Sequence, residues 1–165
     1  MGIKLSELQQ KSVWEGWLSA EIRAHYFADR CARYNQTLQV LTWIGLASSS
    51  SALVSMMAAL PPEWAWLRLI LALVTALVSL WGVVRNYHRR ITECSDLHHR
   101  WNTLGLDYEA LWDGMYAPDA VTKLESLKQR GAELAKSSTH YPNEPKVMRR
   151  WQQHVLTHRG IEAAA

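Results

Sequence analysis

The sequence predicts an all-α protein: a two-span transmembrane helical hairpin with an N-terminal helix and C-terminal cytoplasmic helices forming a helical stalk or bundle. Three observations predict it. Two long stretches contain almost no charge, a double proline lies between them, and the remaining segments repeat their apolar residues by threes and fours with no competing strand alternation. The mean hydropathy of -0.18 hides this, because charged flanks are averaged with the apolar stretches.

Residues 38–60 read LQVLTWIGLASSSSALVSMMAAL, with no charged side chain. About 23 residues at about 1.5 Å each are enough to cross a hydrocarbon core of about 30 Å. Residues 64–84 read WAWLRLILALVTALVSLWGVV, with Arg68 as the single charge. Between them Pro61 and Pro62 remove backbone donors and disfavour helix at the preceding residue. So short a link permits only an antiparallel hairpin. The first stretch is too long for a signal-peptide core and follows about 37 residues of mixed charge, so it is expected to stay in the protein.

Three parts follow: an amphipathic cytoplasmic helix over 1–37, the hairpin over 38–84, and a cytoplasmic helical region over 85–165. Arg30 and Arg33 precede the first span, and Arg85, Arg89 and Arg90 follow the second, against Arg68 alone on the other side. The excess of arginine on one side of the hairpin places both termini in the cytoplasm. Trp43 and Trp81 then fall toward the inner interface, and Trp64 and Trp66 toward the outer one.

Before the first span, Leu5, Leu8, Trp14, Trp17, Leu18, Ile22 and Tyr26 form a helical stripe. After Arg85 the second span is expected to run on as one helix, with a heptad-like seam from Ile91 through Cys94, Leu97, Trp101, Leu104, Tyr108 and Leu111 to Met115. A third segment starts at Pro118-Asp119 and carries Val121, Leu124, Leu127 and Leu134 on one face up to the break at Ser137-Ser138-Thr139. A fourth starts near Asn143-Glu144-Pro145 and sets Val147, Trp151 and Val155 opposite Lys146, Arg149 and Arg150, ending at Gly160. This basic helix either touches anionic lipid or packs on the stalk.

Within the spans, small residues recur at i, i+3, i+4 spacing, which allows close helix packing with hydroxyl hydrogen bonds. The quartet Ser48 to Ser51 points around the helix, so its hydroxyls cannot all face one partner. Thr42, Ser48, Ser49 and Ser55 are therefore candidates either for lining a narrow pore in an oligomer or for helix packing. A helical serine also bonds its own carbonyl four residues back. Arg68 either snorkels to the headgroups or marks a charged outer mouth.

With 18 Lys+Arg against 15 Asp+Glu, a net charge of +3 describes solvated helix faces. No sequence-specific nucleic-acid motif is present. The two cysteines are too few for a disulfide scaffold. Extending the hairpin inward brings Cys31 to the height of Cys94 and His25 near His98 and His99, with Glu93 and Asp96 close by. This is the one place where metal-type ligands could gather, and no pair has zinc-motif spacing. No nucleophile-base pair or phosphate loop is present, so no catalytic residue, cofactor or metal is expected and the chain is not expected to be an enzyme.

This layout of an N-terminal helix, a close hairpin around Pro61-Pro62, a long helix and further helices resembles the SLATT-type two-transmembrane effectors of bacterial conflict systems. The resemblance covers most of the chain and rests on architecture and size. It implies a pore-forming or membrane-disrupting protein of the inner membrane that stops phage spread by killing or arresting the infected cell. The partners it implies are the lipid bilayer, further copies of the chain, and a nucleotide-signal synthase, a signal-binding protein or a reverse transcriptase. An anchor or scaffold that recruits a soluble cytoplasmic partner is the competing expectation.

Overall fold

A computed structural model describes residues 5–49 and 61–160, and the side chains of 48, 49, 68, 71, 78, 79, 82 and 83 fall outside that description. Five α-helices are described: α1 (Glu7–Ser49), α2 (Ala65–Arg85), α3 (Tyr87–Asp113), α4 (Ala120–Ser137) and α5 (Pro145–His158). Single 3-10 turns cover Pro62–Trp64 and Ser138–His140. No strand occurs among the described residues. The all-α class is as the sequence predicts.

Several boundaries differ in instructive ways. Helix α1 runs through residue 37 without a break, because no proline or glycine interrupts Glu7 to Ile44 except Gly16, which a helix tolerates. The second helix does not run on past Arg85 as one piece. Asn86 sits at φ 45°, the left-handed region that asparagine tolerates better than other side chains, and α3 begins directly after it. Helix α5 starts with its proline at the first turn, where a missing N–H costs nothing, and is followed by Gly160 at φ 67°. Among the described residues, no helix is long and apolar enough to cross a membrane. The expected first span, 38–60, lies partly outside those residues.

Contacts divide the chain into two units, one of Met1–Arg30 with Glu93–Ala165 and one of Cys31–Thr92. In the first, α1 and α3 lie antiparallel, with Trp14 against Trp112 at 5.6 Å between ring centroids and the Nδ1 of His98 at 2.9 Å from the Ala24 carbonyl oxygen. The α3–α4 pair is antiparallel as well: Arg130 donates to Asp107 at 2.6 Å, and Leu104 lies beside Gly131. Helix α5 runs back along α1, where Arg150 pairs with Asp29 at 3.0 Å and Arg159 with Glu21 at 3.1 Å.

The seam expected along α3 is the core: Cys94, Leu97, Trp101, Leu104, Tyr108 and Leu111 are all buried, and Ile91 and Met115 are half-buried at its ends. Ala120, Leu124, Leu127 and Leu134 bury one face of α4, and Val155 does the same for α5. On α1 the stripe is shifted from the expected one. Leu8 is 81% exposed, while Val13, Ala20, Ala24 and Phe27 are buried beside Leu5, Trp17 and Tyr26. Small residues at 20 and 24 let the neighbouring helices approach closely. In the other unit, Tyr34 lies 6.2 Å from Tyr87 and the thiol of Cys31 reaches the Ile91 carbonyl at 3.8 Å, so the start of α3 runs antiparallel to α1 there too.

Candidate functional site

The Cys31–Thr92 unit carries an unusual surface. Trp43 is 71% exposed on α1, and on α2 Leu69 is 72% and Val84 70% exposed. Leu73, Leu77 and Leu80 are exposed on that same side, and Trp66, Ile70, Val74 and Trp81 widen it into one broad apolar face. This broad face is exposed, whereas the apolar stripe of a helix packed on a soluble core is buried. So large a continuous apolar surface requires a cover.

The candidate pore-lining or packing residues are distributed as follows. Thr42 is exposed on α1, and its hydroxyl donates to the Leu38 carbonyl at 2.8 Å, so it is satisfied within its own helix. Ser48 and Ser49 lie on the last turn of α1 and Arg68 lies on α2, all with side chains outside the description. Ser55 lies outside the described residues.

Of the five arginines expected beside the membrane, Arg85 packs its guanidinium over the Trp81 ring at 4.7 Å. Arg90 donates to the Arg85 carbonyl at 3.1 Å, and Arg33 and Arg89 are exposed. Arg30 is different. It is 7% exposed and packed inside the Met1–Arg30/Glu93–Ala165 unit, where it pairs with Glu144 at 3.0 Å and donates to the Tyr26 hydroxyl at 3.1 Å. The Tyr26 hydroxyl in turn donates to the Pro142 carbonyl at 2.6 Å. The guanidinium thus fastens the segment before α5 to α1, and Glu144 is drawn into this pair with no side-chain bond capping α5.

A second polar group lies next to it. The Tyr141 hydroxyl donates to Glu93 at 3.0 Å, and burial first, then this bond, push its ionisation far above the usual phenol range. Burial likewise raises Tyr108.

The expected gathering of cysteines and histidines resolves differently. Neither cysteine is in a disulfide, and Cys94 is fully buried. Adjacent on α3, His98 and His99 face opposite ways: His98 lines a cavity with His25, whereas His99 lines a groove with Arg130 and Glu133. His25 stacks on Trp151 of α5, 4.9 Å between centroids at 10°, with His154 edge-on at 6.0 Å. Among the described residues, no group of three or more His, Cys, Asp or Glu side chains is placed to hold a metal. The sequence reading left packing of α5 on the stalk open as an alternative to lipid, and did not pair His25 with Trp151. The signal for that contact was the stripe Trp151, His154, Val155 and His158, spaced by threes and fours on one face.

The chain matches no known protein family, curated protein or solved structure.

Proposed function

We propose that the chain is a membrane effector of a bacterial anti-phage defence system, which oligomerises to form a pore or disrupt the inner membrane when a partner or signal triggers it, causing death or arrest of the cell. The observation that carries this reading is the broad exposed apolar face of α2 together with the apolar exposure on the second half of α1. Hydrocarbon would cover so broad an exposed apolar face. Over the full sequence, residues 64–84 carry Arg68 as their single charge. At 21 residues, α2 is about 31 Å long, close to the hydrocarbon thickness.

In this reading the chain crosses twice, as a hairpin about Pro61-Pro62, with both ends cytoplasmic. Arg33, Arg85, Arg89 and Arg90 on one side outnumber Arg68 on the other, and Arg30 adds its charge while the chain is still unfolded at insertion. Two helices enclose no pore, so several copies are required. The resemblance to SLATT-type effectors supplies the defence context and the partner classes: a nucleotide-signal synthase, a signal-binding protein or a reverse transcriptase.

The second reading, a membrane anchor or scaffold for a soluble partner, is favoured by Thr42. Its hydroxyl is satisfied by Leu38 and needs neither pore water nor a neighbouring copy. Membrane potential and growth after induction in bacteria, alone and with the neighbouring genes, separate the two. Depolarisation by the native chain, lost when Ser48 to Ser51 are all replaced by leucine although the variant still inserts, supports the effector. Unchanged potential under every condition, with function surviving exchange of the spans for a generic Leu/Ala hairpin, overturns it in favour of the anchor.

A further inference from the structure

We propose that the histidine cluster between α1, α3 and α5 forms a proton-operated latch, in which His25, packed among His98, His154 and His158, holds α5 against α1 while neutral and loosens it when protonated. The proposal concerns the Met1–Arg30/Glu93–Ala165 unit alone and stands or falls independently of the membrane reading.

The latch is built around one aromatic stack. The His25 ring lies nearly parallel to Trp151, His154 stands edge-on to Trp151 at 5.3 Å, and His158 follows His154 at 6.4 Å. His98, fixed by its contact with the Ala24 carbonyl, shares with His25 a cavity of about 130 Å³ that Glu21, Glu109 and Arg159 also line.

The charges facing His25 leave no acid reserved for it. On α1, Glu21 is already engaged by two donors of Arg159, at 3.3 and 3.1 Å, and Asp29 by Arg150. Arg159 is itself held over the Trp17 ring at 4.0 Å. On α3, His98 faces it together with Glu109, and on α5, His154 and His158 do so. A proton on His25 therefore places a cation beside three further imidazoles in a contact whose acids are mostly matched by arginine. Glu109 is the remaining compensating charge.

The direction of the His25 shift agrees with this geometry. Burial lowers its affinity for a proton, Glu21 opposes that, and His154, His98 and His158 reinforce it. Detaching α5 removes the burial by Trp151 and the like charges of His154 and His158, so His25 moves back toward its ordinary value. The neutral ring thus favours the packed state fully above about pH 6.5, and the advantage is lost as pH falls toward the depressed value, because the detached state takes up the proton first.

Amide hydrogen exchange on the full chain in detergent micelles, between about pH 7.5 and about pH 5.5 and corrected for intrinsic exchange, reads this latch directly. Protection of residues 146–158 is expected to fall relative to α4, about tenfold for each unit separating the packed and detached pKa values. A His25→Phe variant, which keeps a stacked ring without a titrating nitrogen, is expected to lose most of that pH response. Equal behaviour of α4 and α5 across the range, or an undiminished response in the variant, overturns the latch. If circular dichroism shows that His25→Phe has lost its helix content, His154→Gln takes its place: a weakened response supports the proposal, and an unchanged one refutes it.

Discussion

The ring of Tyr108 occupies the space where a β-carbon on Gly16 would stand. Such a carbon would lie 2.6 Å from Cζ and 2.9 Å from the hydroxyl oxygen. Only glycine lets α1 and α3 meet here, and Tyr108 is itself buried, so its ring has little room to withdraw. Gly16→Ala is therefore expected to destabilise the protein by about 1–3 kcal/mol, overpacking outweighing the gain in helix propensity of about 1 kcal/mol. Gly105→Ala is the contrast. Its β-carbon meets only Ala20 at 3.8 Å, an ordinary contact, so the change is expected to be neutral or stabilising by up to about 1 kcal/mol. Urea unfolding of both variants checks the pair, and equal midpoints would refute the packing argument.

Arg30→Leu is expected to cost about 1–3 kcal/mol, because it strips the partner from Glu144 and a charged donor from Tyr26. The cost stays below that of a fully buried pair, since Glu144 retains access to water. Limited proteolysis reports the local consequence: cleavage in 141–145 should rise before cleavage in α4. An unchanged cleavage pattern would show that the ion pair does not hold this segment.

Leu73→Lys tests the apolar surface. The side chain is exposed, so in a protein bathed in water on that face the substitution is close to neutral. In a bilayer, lysine at the centre of a span costs about 2.5–3.5 kcal/mol. Loss of the chain from the carbonate-resistant membrane fraction is the expected outcome. Retention of both native chain and variant in the soluble fraction would remove the basis of the hairpin.

Tyr141 provides a signed pH dependence at the alkaline end. Its phenol is held neutral in the folded protein well above the ordinary value of 10.0. The folded state keeps its proton while the unfolded state loses it, so this contribution is complete below about pH 10 and declines as pH rises beyond it. Thermal unfolding between about pH 9 and about pH 11.5 should show a steeper loss for the native chain than for Tyr141→Phe, the comparison cancelling the common titration of lysines. Parallel curves would contradict the assignment.

The helices and their apolar faces were legible because both are local. Cys94 through Leu111 on α3, and Leu124, Leu127 and Leu134 on α4, repeat at the period of a helix, and burial follows that period. The stripe on α1 was legible only in part. It counted large residues, whereas the helix packs through Ala20 and Ala24 and leaves Leu8 in solvent. The break at Asn86 carried no proline or glycine to announce it.

Periodicity and charge distribution by themselves determined the all-α class, the two apolar stretches and the starts of α4 and α5. Each depends on residues within about one or two helical turns of one another. Tertiary structure alone decided which side chains meet. It turned Arg30 inward to Glu144, 114 positions away, sent His98 and His99 to opposite faces, and set Trp151 on His25. Such pairings depend on how antiparallel helices register against each other. That register is set by the summed packing of small and large residues along both helices, which no local pattern contains.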